Sequence, residues 1–345
     1  MNKLTLIGPV CRHDGYGTIV VSLARELIDL GVDLALQSTV QPDPRNVDPD
    51  VMACLDVRRR DDCELLLNVP WVAGLMKAPF KLMYAMFESN KIRRDWVYSL
   101  NSATINLVPA QWCREVWRAN GVEDPIEVVP LGVNSKFFSY RERQIKDTFT
   151  FLISGTLQRR KNPLIVAQAF LEEFDEPDVR LVIKTLPHMG ITLVSPDPRI
   201  QIISDRWSSE QMRDLMYSCD CFVYPSSGEG FGLPPLEAMS TGIPVILSSC
   251  TGMLEFCDDK YCFPLPMFGT ETQILWTGSE GDVFVPCYRS LKSLMRLVYE
   301  NREMANEMGE RASSWVSSNF TWRKTASNLL RIINDSNIIL SNGDE

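Results

Sequence analysis

Short apolar runs bounded by turn residues alternate along this chain with stretches whose apolar positions recur every three or four residues. Runs of that length suit buried parallel strands, and the longer period suits helices. Positions 4–10 read as a first strand. A loop with Gly15, Tyr16 and Gly17 follows, then a helix with Ile19, Leu23, Ala24, Leu27 and Leu30 on one face, closed by Gly31 before a strand at 32–36. That is a βαβ unit of the doubly wound kind. The spacing predicts further strands at 51–55, at 81–87 with Glu88 at its end, and at 105–109, then a helix over 111–120. A polar stretch at 139–146 reads as a linker. A second series begins at 148–155 and continues with a helix bearing Leu164, Ala167 and Phe170, strands at 179–185 and 200–205, and a helix at 208–217.

The most informative stretch is 221–250, which reads strand, glycine-rich turn, helix, strand. The run 221–224 ends in Pro225, Ser226, Ser227 and Gly228, and the loop Glu229-Gly230-Phe231-Gly232-Leu233 precedes Pro234 and Pro235. Proline fits a first helical turn, so a helix starts there, and its N-terminal N–H groups make the loop an anion site that phosphate would fill. Glu229 on the loop and Glu237, placed in the first turn, frame it. Glu237 could equally serve the helix macrodipole alone. A second anion site is predicted at Arg159-Arg160-Lys161, three cations just before the helix that opens at Pro163.

With 345 residues, 45% hydrophobic and 23% charged, the chain is ordinary globular protein with room for two domains. No run reaches the roughly 18 to 20 apolar residues of a membrane span, and a cytoplasmic protein is expected. The net charge of −9 argues against a mainly electrostatic grip on nucleic acid without excluding a local basic patch. Lys91, Arg93 and Arg94, with Tyr84, Phe87 and Trp96 interleaved, could be such a patch or a solvated helix face. The ten cysteines show no CxxC spacing, and His13 and His188 are the only histidines, so no metal is assigned. Asp48-Pro49-Asp50 reads as a turn.

Glu229, seven residues, then Glu237, inside EGFGLPPLEAMSTGIPVI, resembles the nucleotide-sugar signature of retaining GT-B glycosyltransferases of family 4, the glycosyl transferases of group 1. VPAQWCREVW, VVPLGVNSKFF and FTWRKTASNLLRII resemble further segments of that family, so the likeness runs through nearly the whole chain. It implies an α/β fold of two Rossmann-like domains facing a cleft: 1–138 for the acceptor, 147–318 for the donor, and a closing helix at about 320–338 that returns to the first domain. Lys161 matches the family's phosphate-binding lysine. Thr156 stands where its arginine would be and Asn162 where its glycine would be, and Arg160 is the candidate second charge.

By the same resemblance Lys161, Arg160 and Glu229 carry the catalysis. Glu237, Gly230, Phe231, Gly232, Leu233, Arg206, Trp207 and Lys184 hold the donor, and Gly15, Tyr16, Gly17 and Glu88 face the acceptor cleft. Arg206-Trp207 could instead be an ordinary strand-to-helix loop, Gly15 to Gly17 a tight turn, and Glu88 a helix cap. The implied activity is retaining, metal-independent transfer of a hexosyl or related group from a nucleotide-diphosphate sugar, a substrate rather than a cofactor, to a glycan hydroxyl. A hydroxymethylated base in DNA is the alternative acceptor. A catalytically silent nucleotide-sugar binding module is the alternative of another class. A hydride-transfer enzyme would want a full glycine fingerprint that the first loop lacks.

Overall fold

The computed structural model describes residues 3–11, 15–59, 61–123, 125–186 and 193–336. His13, His188 and positions 337–338 of the expected closing helix lie outside that range. The chain divides into two compact units, Met1–Gly132 with Phe320–Glu345, and Val133–Asn319.

The first unit runs β1 (Lys3–Gly8), α1 (Gly15–Asp29), β2 (Asp33–Ser38), α2 (Pro49–Ala53), β3 (Cys63–Leu67), β4 (Phe80–Tyr84), α3 (Arg94–Leu100), β5 (Ile105–Val108), α4 (Gln111–Ala119) and β6 (Ile126–Val128). Its six strands are parallel in the order β2-β1-β3-β4-β5-β6. Strand order reverses between β1 and β3, and in open α/β sheets ligands bind beyond the strand ends at such a switch point. The second unit runs β7 (Phe149–Ser154), α5 (Pro163–Glu173), β8 (Val179–Lys184), β9 (Ile200–Ile203), α6 (Ser209–Ser218), β10 (Cys221–Tyr224), α7 (Leu233–Thr241), β11 (Val245–Ser248), β12 (Phe263–Leu265), β13 (Met267–Ile274), β14 (Glu280–Pro286), α8 (Tyr288–Glu300) and α9 (Arg302–Asn319). Its main sheet is β12-β11-β10-β7-β8-β9, also parallel, with the reversal between β7 and β10. The core under it stacks Phe151, Phe170 and Phe174 with Val223 and Ile246, all fully buried. Such runs, apolar on both faces, are what a sheet covered by helices on both sides requires.

The last helix, α10 (Trp322–Asp335), packs in the first unit. Thr321 caps it by accepting from the Lys324 N–H at 3.2 Å, and Thr325 Oγ1 donates to the Pro130 carbonyl at 2.8 Å. A Cβ on Gly132 would run into the backbone of Thr321 and Trp322, so glycine is what lets the segments meet. The stretch 139–146 is tied to the second unit: Arg143 donates to the carbonyls of Met216 at 2.9 Å and Cys219 at 2.6 Å, covering the C-terminal end of α6.

Several elements differ from the sequence pattern. Positions 51–55, expected as a strand, form most of the short helix α2: Pro49 opens it, Asp50 pairs with Arg25 at 2.7 Å, and only Leu55 makes a bridge, to Leu36. The strand expected at 81–87 ends at Tyr84, leaving Glu88 four residues beyond it, although the Ala85 N–H still donates to Leu107 O at 3.2 Å. β9 stops at Ile203 rather than 205. The antiparallel hairpin β13–β14 and the central strand β3 have no counterpart in the sequence reading.

Candidate functional site

The second unit's switch point brings two loops together, 155–162 after β7 and 225–232 after β10. In the first, a short 3-10 turn, Arg159–Lys161, leads to Asn162 at φ +56°, which then caps α5. Asparagine is among the few non-glycine residues that enter the left-handed region readily. Its side chain locks the two loops, donating to the Pro225 carbonyl and to Ser227 Oγ, each at 2.8 Å. The Ser227 N–H returns a bond to Arg160 O at 2.7 Å.

Those loops converge on one carboxylate oxygen. Glu229 Oε1 accepts from Lys161 Nζ at 2.5 Å, Ser226 Oγ at 2.6 Å, an Arg160 guanidinium nitrogen at 2.7 Å and Tyr224 OH at 3.0 Å. Arg160 also donates to Gly228 O at 2.7 Å, and Lys161 to Tyr224 OH at 2.6 Å. Burial alone would raise the Glu229 carboxyl, but Arg160 and Lys161, with hydrogen bonds from Lys161 and Ser226, outweigh it and hold the group at about 2. Burial and the neighbouring Glu229 push the Tyr224 phenol well above its ordinary value, so it stays a neutral donor. Two cations thus close on one carboxylate at the mouth of the loop.

The Glu229 backbone is pinned from behind. Its N–H donates to Thr251 Oγ1 and its carbonyl accepts from the Gly252 N–H, both at 3.0 Å. Thr251 sits at φ +55°, an outlier for a β-branched residue, and is buried. A Cβ on Gly252 would strike the Gly230 carbonyl. Phe231 packs on Phe256 with centroids 5.4 Å apart. Gly232 at φ +113° turns the chain into α7, with Pro234 and Pro235 in its first turn.

Lys161, Arg160, Glu229, Gly230, Phe231, Gly232 and Leu233 therefore lie together. Glu237 is half-buried, but α7 begins at Leu233, so Glu237 falls in the second turn rather than the first, and the first turn holds no acid. The macrodipole explanation for it fails accordingly. Lys184 and Trp207 meet at the ends of β8 and β9: the buried ammonium donates to Asp205 O at 2.6 Å and Thr185 O at 3.0 Å and lies 5.4 Å from the centre of the indole. Burial lowers its pKa. Arg206 is exposed.

In the first unit Gly15, Tyr16 and Gly17 form the first turn of α1 rather than a loop before it. A Cβ on Gly17 would strike the Cys11 carbonyl, and Tyr16 OH exchanges long hydrogen bonds with the Met86 backbone at 3.3 and 3.4 Å. Glu88 is half-buried. Tyr224, Ser226 and Thr251 are the residues that sequence reasoning missed. The first two sit inside the signature stretch; nothing in the local pattern marks Thr251 as the acceptor behind Glu229.

Residues 148–272 match the family model for glycosyl transferases group 1. This segment is similar to the group 1 glycosyltransferases. Among curated relatives, the α-(1→4)-mannosyltransferase acting on MMP from Mycolicibacterium hassiacum is 29% identical over 136 residues, 38% of this chain and 33% of that protein. The chain spans between a third and about half the length of the curated relatives it matches. Among solved structures, the sucrose-phosphate synthase of Thermosynechococcus elongatus superposes with a TM-score of 0.74 at 14% identity, covering 97% of this chain and 99% of that one. HepE of Anabaena, solved in complex with UDP-glucose, gives 0.71 at 12% identity, covering 97% and 100%. The two parallel six-stranded sheets are those of the GT-B glycosyltransferase fold. Among the described residues no helix of this glycosyltransferase-like chain is long and apolar enough to cross a membrane.

Proposed function

We propose that the protein is a retaining, metal-independent glycosyltransferase that moves a sugar from a nucleotide-diphosphate sugar to a glycan hydroxyl. The observation that carries this reading is the convergence of Lys161 and Arg160 on Glu229 at the second unit's switch point, beside the N-terminal end of α7. The demanding charge in such a transfer develops on the leaving diphosphate. Lys161, Arg160 and the backbone N–H groups around Phe231, Gly232 and Leu233 are grouped to receive it, and positioned donors of this kind act strongly where water is excluded. Arg160 takes the place of the arginine missing at Thr156.

Glu229 has its Oε1 committed to four donors, while Oε2 has no hydrogen-bond partner among the described residues. We assign Oε2 to the donor sugar's hydroxyls, Glu237 to the ribose, and Trp207 with Lys184 and Arg206 to the base. Gly15, Tyr16, Gly17 and Glu88, near the first unit's own switch point, are assigned to the acceptor side. The UDP-glucose held by HepE and the UDP-Gal named as donor of a galactosyltransferase relative from Escherichia coli support a nucleotide-diphosphate sugar as donor.

A panel of labelled nucleotide sugars, incubated with and without glycan acceptors and in the presence of a chelator, tests the assignment. Transfer or slow hydrolysis of at least one donor is expected. Tight binding with neither reaction would instead make the protein a silent binding module.

A further inference from the structure

Behind the loop that carries Glu229, two thiols face each other across a single turn. Cys257 Sγ and Cys262 Sγ are 3.9 Å apart. Cys262 is fully buried and Cys257 half-buried. The turn between them closes on Asp258, whose carbonyl accepts from the N–H of Tyr261 at 2.9 Å and of Cys262 at 3.0 Å. A disulfide needs its sulfurs at about 2 Å, so the pair must close by roughly that much again. The S–H of Cys262 lies between two acceptors, the Asp258 carbonyl at 3.4 Å and Cys257 Sγ at 3.9 Å; the contact between the sulfurs holds the Cys257 thiol below its ordinary range in spite of burial and, with burial, pushes Cys262 up. Cys257 is the thiol of the pair that solvent reaches, with a second sulfur against it. Cys257 Sγ also reaches the Leu247 carbonyl at 3.8 Å, but the other half-buried cysteines, Cys54 on Asp50 O and Cys287 under Ser290 Oγ, meet no second thiol among the described residues.

Cys257 is coupled to the site through backbone. Its N–H donates to Met253 O at 2.9 Å, at the end of the 3-10 turn Thr251–Glu255 that pins Glu229. Its neighbour Phe256 packs on Phe231. Drawing Cys257 toward Cys262 pulls on the turn that Thr251 holds in a strained conformation.

We propose that Cys257 and Cys262 form a reversible dithiol–disulfide site for low-molecular-weight disulfides of the glutathione class, and that closing it loosens the 229–233 loop. The Cys257 thiolate attacks one sulfur of glutathione disulfide and releases one glutathione thiolate. Cys262 then loses its proton and attacks the Cys257 sulfur, expelling the second. Two protein thiols are oxidised by two electrons, the glutathione disulfide is reduced, and the two protons end on the two released thiols. The inference stands apart from the donor reading, since both readouts below are independent of sugar transfer.

The test equilibrates the full chain in glutathione redox buffers, then maps alkylated peptides and measures amide hydrogen exchange over 226–233. Cys257 and Cys262 should lose reactivity together as one linked peptide while Cys54 and Cys287 do not pair, and exchange in the loop should quicken by about five-fold or more. In Cys262→Ser the reaction should stop at a glutathione adduct on Cys257. In Cys257→Ser, altered at the half-exposed position, oxidation should leave the loop's exchange unchanged. No linked peptide in the parent, a stable adduct on the parent's Cys257, or a linked peptide with unaltered loop exchange would each overturn the proposal.

Discussion

At the residue scale the site is built on Glu229 and its cations. The carboxyl is held at about 2 in the folded protein against an ordinary 4.5, so its charged form is favoured by folding. The stability it contributes is present in full above about 4.5 and is lost as pH falls from there toward about 2. Denaturant unfolding across that window should show the parent losing stability with acid, and Glu229→Gln should flatten that part of the profile. An unchanged slope in the variant would mean that another carboxylate carries it. Asn162 allows a second test. Asn162→Gly keeps the left-handed φ but loses the bonds to Pro225 and Ser227, whereas Asn162→Ala loses the same bonds and retains a Cβ in that region, at a cost of about 1–2 kcal/mol relative to glycine. Alanine should therefore unfold at lower denaturant than glycine. The reverse order would refute the role given to backbone conformation.

At the element scale the sequence was most readable where a buried run met strong punctuation. β10, its loop and α7 could be placed because Cys221 to Tyr224 is apolar on both faces and Pro225, Gly228, Gly232 and the proline pair bracket the turn. The α2 region misled because Val51, Ala53 and Leu55 alternate like a strand, while Pro49 and the Asp50–Arg25 pair, a contact 25 residues away, decide for a helix. The hairpin was missed because β13 is mostly exposed, Phe268 and Ile274 included, and gives no clean period. What joins it to the site is also non-local: the Phe284 N–H donates to Ser227 O at 2.9 Å, and Arg159 reaches Glu271 at 3.2 Å. Site chemistry was legible by residue type, but the use of Thr251 behind Glu229 depends on a loop 22 positions on. Gly252→Ala, whose Cβ would strike the Gly230 carbonyl, should displace that loop and lower turnover while leaving the sheet's circular dichroism intact. Parental turnover in that variant would show that the loop tolerates the shift.

At the scale of the whole molecule the acidic charge and the fate of the basic cluster bear on the acceptor. Arg93, a candidate phosphate contact, grips Asp95 through two hydrogen bonds of 2.8 and 2.7 Å, so its charge is matched by the first turn of α3. With the proposed glycan acceptor, reversing Arg93 and Arg94 to glutamate should leave KM and salt dependence nearly unchanged. A steep salt dependence that the double reversal abolished would instead mark counterion release from a nucleic acid. Activity should also survive a chelator; loss on such treatment with revival by manganese would contradict the metal-independent reading and point to carboxylates such as Asp48 and Asp50 as ligands.

The most direct measurement of the central claim is turnover of Lys161→Ala at saturating donor, compared with the parent. Losing one donor aimed at developing charge costs about two orders of magnitude in rate. A drop of that size with the fold intact is the predicted result, and parental turnover would contradict the assignment of Lys161 to the leaving phosphate.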